Sequence, residues 1–126
     1  EDRLKKWCSE VNEKRNGLLK SGDIYGKYLF TFESHLDLLT IHPWVDGNGR
    51  TARLVMNQLQ IELGLIPAKI LKEDKAEYID ALIKAREGHD PRVFSSFMMA
   101  SHIRNLQAEI REFKKSQEVS DEIIIS

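Results

Sequence analysis

Most of the reactive chemistry of this chain lies in one run of residues: His42, Pro43, Trp44, Val45, Asp46, Gly47, Asn48, Gly49, Arg50, Thr51, Ala52 and Arg53. Gly47, Asn48 and Gly49 directly precede a helical pattern. Glycine tolerates positive φ, so successive backbone N–H groups can converge into a concave nest. The helix N-terminus adds unpaired N–H donors and a partial positive charge. Phosphate suits such a place. Arg50 and Arg53 are three residues apart, on one face of the first turn, and can clamp further phosphates. Asp46 offers the hard carboxylate oxygen that holds Mg²⁺ beside phosphates. His42 has the pKa range of a base that takes a proton from an attacking hydroxyl. A base, a metal ligand, an anion nest and two cations are the parts needed for attack on phosphorus.

Taken singly, these residues have blander readings. Asp-Gly and Asn-Gly form turns. Two arginines can be solvated helix charges, and a lone histidine can be a satisfied loop or core residue. A hairpin would need strands on both sides, however, and helical patterns flank this loop. It is the joint occurrence that favours a site. The run is neither a Walker loop, lacking Gly-Lys-Ser/Thr, nor an EF-hand, lacking the later acidic ligands.

The flanking elements must position the run. Leu4, Trp7, Cys8 and Val11 step by three and four and predict a short amphipathic helix, with Cys8 as a buried small hydrophobe. Residues 21–27 carry two glycines and read as a loop. Leu29, Phe32, Leu36 and Leu39 predict a helix over 28–40, stopped by Pro43. From Arg50 to Leu63 the pattern is helical, with Gly64 at C′ and Pro67 beyond. Ala52, Val55, Met56, Leu59 and Leu63 form its stripe, and Leu54 and Ile61 add apolar positions off it. That predicts a central, buried helix. A further helix spans 73–87 and ends at Gly88. Asp90 then caps, and Pro91 starts, a last helix to about Lys115. The charged stretch 109–118 reads as a solvated helix face or a fraying end. Residues 117–126 read as a frayed tail or the start of a strand in a following segment. The fold class is all-α: a compact bundle of about five to six helices.

The bulk numbers set limits. The chain has 126 residues, enough for one modest core. Its 19 basic residues balance 20 acidic ones, so a broad nucleic-acid footprint is not expected. A single cysteine excludes an internal disulfide and fits a reducing, cytoplasmic compartment. No signal-peptide pattern or membrane-spanning apolar run is found. His35, His89 and His102 stand at unrelated spacings, so no zinc site is expected. The first residue is Glu1 rather than Met, which reads as an excised piece of a longer chain.

His42, Asp46, Gly47, Asn48, Gly49, Arg50 and Arg53 match the Fic-family signature His-x-Phe-x-Asp/Glu-Gly-Asn-Gly-Arg-x-x-Arg position by position. Trp44 departs from its phenylalanine. The chain resembles the Fic family over about residues 5–105. The resemblance implies a protein adenylyltransferase with the Fic fold, using ATP and Mg²⁺ and acting on a Tyr, Ser or Thr hydroxyl of a target protein. His42 would be the base, Asp46 the metal ligand, and Gly47, Asn48 and Gly49 the phosphate cradle. Arg50 and Arg53 would neutralise the phosphates, and Tyr78 would lie near the nucleotide base. Tyr78's plainer reading is a core aromatic. Arg86 stands where some relatives carry an amide. Residues 1–116 would form the catalytic core.

Two family parts are not found: a β-hairpin flap before residue 28, and the inhibitory motif Ser/Thr-x-x-x-Glu-Gly/Asn. Ser9 to Glu13 has that motif's spacing, but Lys14 follows. An inhibitory segment would therefore sit on other sequence or on a separate protein. Three alternatives stay open: another donor such as UTP or a nucleotide-linked choline, removal of AMP from a modified protein, and a non-catalytic binding module. A homo-oligomer also stays open.

Overall fold

The computed structural model describes residues 2–41 and 48–125. These form five α-helices and one 3₁₀ turn, with no strand among the described residues: α1 (Asp2–Leu18), α2 (Ile24–Ile41), α3 (Asn48–Glu62), the turn Lys72–Asp74, α4 (Lys75–Glu87) and α5 (Pro91–Ile125). The all-α expectation holds. No helix among the described residues is long and apolar enough to cross a membrane.

The central element is α2, not α3. α2 packs against α1, α3 and α5, and Tyr28, Phe30, Phe32, His35, Leu36, Leu38 and Leu39 are all buried. α3 is one-sided: Ala52, Met56, Leu59 and Leu63 are buried, while Leu54 and Ile61 lie in solvent. Two off-stripe apolar residues did not make the helix buried all round, because single exposed apolar side chains are ordinary at a surface. α1 likewise buries Val11 and partly buries Trp7 on its inner face. Cys8 points the other way and is exposed, against the sequence expectation.

α2 begins four residues before its predicted start. Asp23 caps it by accepting a hydrogen bond from the Gly26 N–H at 2.9 Å. A Cβ at Gly26 would run into that carboxylate, so the glycine permits the cap rather than marking a loop.

α3 ends as predicted. Gly64 takes φ +77° at C′, Leu65 N–H bonds to the Gln60 carbonyl, and Gly64 N–H bonds to that of Ile61. This is a Schellman closure. The return segment is then pinned from α2, where Lys27 Nζ donates to the Leu63 carbonyl and the Tyr28 hydroxyl donates to that of Ile66.

Gln60, fully buried, joins these parts. Its Nε2 donates to Thr31 Oγ1 at 3.1 Å, and its Oε1 accepts from the Ala68 N–H at 2.9 Å and from Asn57 Nδ2 at 3.1 Å. Replacing Gln60 with Leu would strand a buried N–H, and a buried unsatisfied donor costs about 1–3 kcal/mol. Gln60→Leu should therefore lower stability by about 2 kcal/mol, read as a lower urea midpoint at unchanged slope. An unchanged midpoint would refute the role given to this amide.

α4 buries Tyr78, Ala81 and Ala85 and exposes Ile79 and Ile83. It stops at Glu87, but the left-handed residue is His89 (φ 50°) rather than Gly88. Asp90 and Pro91 open α5 as expected, and the Arg92 N–H donates to Asp90 Oδ1 at 3.1 Å. α5 continues through residues 117–125 as helix rather than strand. No proline or glycine interrupts this stretch, and the polar face at 109–118 is solvated.

Candidate active site

The site is built on the first two turns of α3. Asn48 opens the helix, so the N–H groups of its first turn have no carbonyl partner within it. His42, Asp46 and Gly47 lie outside the described residues, as do Pro43, Trp44 and Val45. Arg50, one residue into the turn, is exposed.

Gly49 is helical. The positive-φ residues among those described are Gly64 and His89, so Gly49 does not bend a nest in the way its type suggested. What Gly49 provides is room. A Cβ there would stand 3.2 Å from Arg53 Nη1, because the Arg53 guanidinium folds back along α3 against the first turn. The same guanidinium lies over the Tyr78 ring, 5.9 Å from its centroid. A cation against an aromatic face is attracted by the ring quadrupole. The spacing predicted Arg50 and Arg53 on one face. The tertiary fold adds the surface that holds Arg53.

Tyr78 is 2% exposed. Its ring is a core aromatic, packed edge-on to Phe94 at 5.9 Å, which leaves no open face for a nucleotide base. The expectation that it lies beside the base therefore gives way to its plainer reading. Its hydroxyl meets His35 Nε2 at 2.7 Å, and the Arg53 guanidinium lies close enough to act on its pKa. Burial pushes the phenol above its ordinary pKa, against the opposing pull of Arg53.

His35 was assigned no role on sequence. It is 1% exposed and stacks on Phe94 at 5.5 Å. Burial is the main cause of its low pKa of about 4, with a smaller push from the Arg53 charge and an opposing one from the Ala52 backbone. The ring is therefore neutral near pH 7. Nε2 meets the Tyr78 hydroxyl, and the Ala52 backbone favours a proton on the ring, so Nε2 is the acceptor and the Tyr78 hydroxyl the donor. His35 Nδ1 then carries the ring proton and is turned to the Ala52 backbone, without a hydrogen bond of good geometry among the described residues. One sequence signal could have found this residue: a histidine on the apolar stripe between Phe32 and Leu39 must be buried and must find a partner.

A cavity of about 700 Å³ opens from Arg50 and Arg53 along Leu54, Asn57, Pro67 and Leu106, between α3, the return segment and α5. His102 also lines it. Its Nε2 meets the Tyr28 hydroxyl at 2.9 Å, and that hydroxyl already donates to Ile66, so Nε2 is the donor. Arg50 and Arg53 thus line a largely apolar groove.

An all-α bundle with a glycine and paired arginines at a helix N-terminus, preceded by histidine and aspartate, is the class of protein these features define. Residues 1–60 match the Fic/DOC family model and include the entire 42–53 run. The chain is 38% identical over 91 residues to "Protein adenylyltransferase Fic" of Nematostella vectensis, covering 72% of this chain and 21% of that protein. Proteins of the same name from Drosophila mojavensis and Drosophila grimshawi are 46% and 45% identical over 65 residues, 52% of this chain and 13% of each. The chain thus spans about a fifth or less of the length of these curated relatives. No solved structure matches it.

Proposed function

We propose that this chain is the catalytic core of a protein adenylyltransferase, moving AMP from ATP to a Tyr, Ser or Thr hydroxyl of a target protein. The observation that carries the reading is the first turn of α3. The α3 N-terminus and exposed Arg50 lie beside Arg53, whose guanidinium rests over Tyr78, and the first two turns of α3 fall inside the residues that match the Fic/DOC family model. Support also comes from the name that the Nematostella and Drosophila relatives share.

In this reading the triphosphate lies across the α3 N-terminus, where the helix dipole and free N–H groups favour anions. Asn48 and Gly49 bring backbone donors close, with Gly47 before them. Arg50 and Arg53 offset the charge that builds on the departing oxygens. His42 takes the proton of the target hydroxyl as its oxygen bonds to the α-phosphorus. The bond from that phosphorus to the α–β bridging oxygen breaks, and pyrophosphate leaves. Asp46 would hold Mg²⁺, which screens the triphosphate when bound; one carboxylate beside phosphates is the donor set this ion takes. A separate inhibitory segment or protein would act at the same guanidiniums.

The test is labelling. The chain is incubated with α-labelled ATP, and separately with α-labelled UTP, CTP and GTP, and protein-bound label is counted. Label from ATP alone supports the reading. Label from UTP alone would move the donor assignment, and γ-label without α-label would overturn nucleotidyl transfer.

A further inference from the structure

We infer that His35 and Tyr78 are positioning residues that set the Arg53 guanidinium at the mouth of α3, with His35 and Tyr78 buried behind it. The inference rests on the transferase reading for its purpose and on geometry for its substance.

Arginine has many rotamers, and fixing such a side chain costs freedom. A cation meant to meet phosphate gains from having paid this cost before the ligand arrives. Two contacts fix Arg53: the Tyr78 ring lies under it at 5.9 Å, and Gly49 leaves room for its Nη1. The Tyr78 ring is itself held, because its hydroxyl is bonded to His35 Nε2 at 2.7 Å on the side away from solvent. His35 is in turn locked by its stacking on Phe94 at 5.5 Å. The three residues come from α2, α4 and α3, so the chain of contacts also ties the site to three helices. Neither His35 nor Tyr78 is open to solvent, so neither touches substrate.

Tyr78→Phe keeps the ring and removes the hydroxyl that holds it. His35→Leu removes the acceptor, whereas His35→Gln restores one. Two readouts are taken. The first is the Arg53 Nε–Hε resonance in ligand-free protein, which should be a distinct, slowly exchanging peak in the parent and in His35→Gln. It should collapse toward the solvent-exposed arginines in Tyr78→Phe and His35→Leu. The second is calorimetric affinity for inorganic tripolyphosphate and for AMP. Loss of one hydrogen bond should weaken tripolyphosphate by roughly three- to tenfold and leave AMP within about twofold.

A Tyr78→Phe chain whose Arg53 peak and tripolyphosphate affinity both match the parent overturns the inference. So does an equal loss for tripolyphosphate and AMP in both variants, which marks general loosening. If Tyr78→Phe fails to fold, the contrast between His35→Leu and His35→Gln decides. A parent that binds tripolyphosphate but transfers no AMP sinks the transferase reading alone. If the parent binds no tripolyphosphate, that reading fails, and the Arg53 peak decides the positioning by itself.

Discussion

Replacing His42 with alanine is expected to lower AMP transfer by about 10²–10⁴-fold, the range that a positioned general base supplies. A target hydroxyl holds its proton tightly near neutrality, and attack on phosphorus needs that proton removed as the bond forms. No other side chain of the 42–53 run can accept it near pH 7. A guanidinium only donates, and Asp46 is the proposed metal ligand. The variant should still bind ATP with Mg²⁺ to within about twofold, because in the proposed function the phosphate contacts belong to α3 and its arginines. Initial rates with α-labelled ATP, together with calorimetry on the same preparation, separate the two effects. Transfer that persists in His42→Ala at near the parent rate removes histidine as the base. Loss of binding along with transfer would instead place His42 among the ligand contacts.

Acid should destabilise this protein through His35. In the unfolded chain the imidazole titrates near 6.5, and in the fold its pKa is about 4. The folded state therefore disfavours the proton. The stabilisation is complete above pH 6.5 and is lost as pH falls from 6.5 to about 4, because the unfolded chain takes up the proton first. The full loss is about 3 kcal/mol, and most of it is felt by pH 4.5. Arg53 is the charged neighbour that adds to the effect, and burial is the main cause. His102, also lowered by burial, acts in the same direction, while Asp37, raised by burial, opposes it. His35→Gln isolates the contribution. Unfolding free energies from urea titrations at pH 7 and pH 4.5 should differ by about 2 kcal/mol more in the parent than in His35→Gln. Equal differences in the two proteins would refute a neutral, buried His35. The transferase reading would be untouched, since this measurement involves no ligand.

The two predictions test different layers. His42 belongs to a pattern readable along the chain, whereas the His35 effect exists only because α2, α3 and α4 converge. The same division runs through the fold. Gly64 with Pro67 beyond, and Asp90 with Pro91, announced where α3 ends and where α5 begins, because caps are local chemistry: one backbone conformation, one side-chain acceptor, one ring. Gly26 misled for the same local reason. Glycine usually marks a loop, but here it clears space for the Asp23 cap on α2.

Burial was less legible. Cys8, Leu54 and Ile61 are apolar or small, yet they face solvent. Hydrophobic type alone does not say which face finds a partner. That depends on how many neighbours each helix has, and α2 has three while α1 packs on α2 alone among the larger contacts.

The helical class, most helix ends and the His42–Arg53 pattern could be read along the chain. Those follow from interactions within a few residues, where spacing along the chain is spacing in space. It took the packed fold to show that α2 is the central helix, that Tyr78 lies in the core beneath Arg53, and that His35 reaches the Tyr78 hydroxyl. His35 and Tyr78 stand 43 positions apart. A 2.7 Å hydrogen bond between groups so distant is made by the packing of whole helices, and no local pattern encodes it.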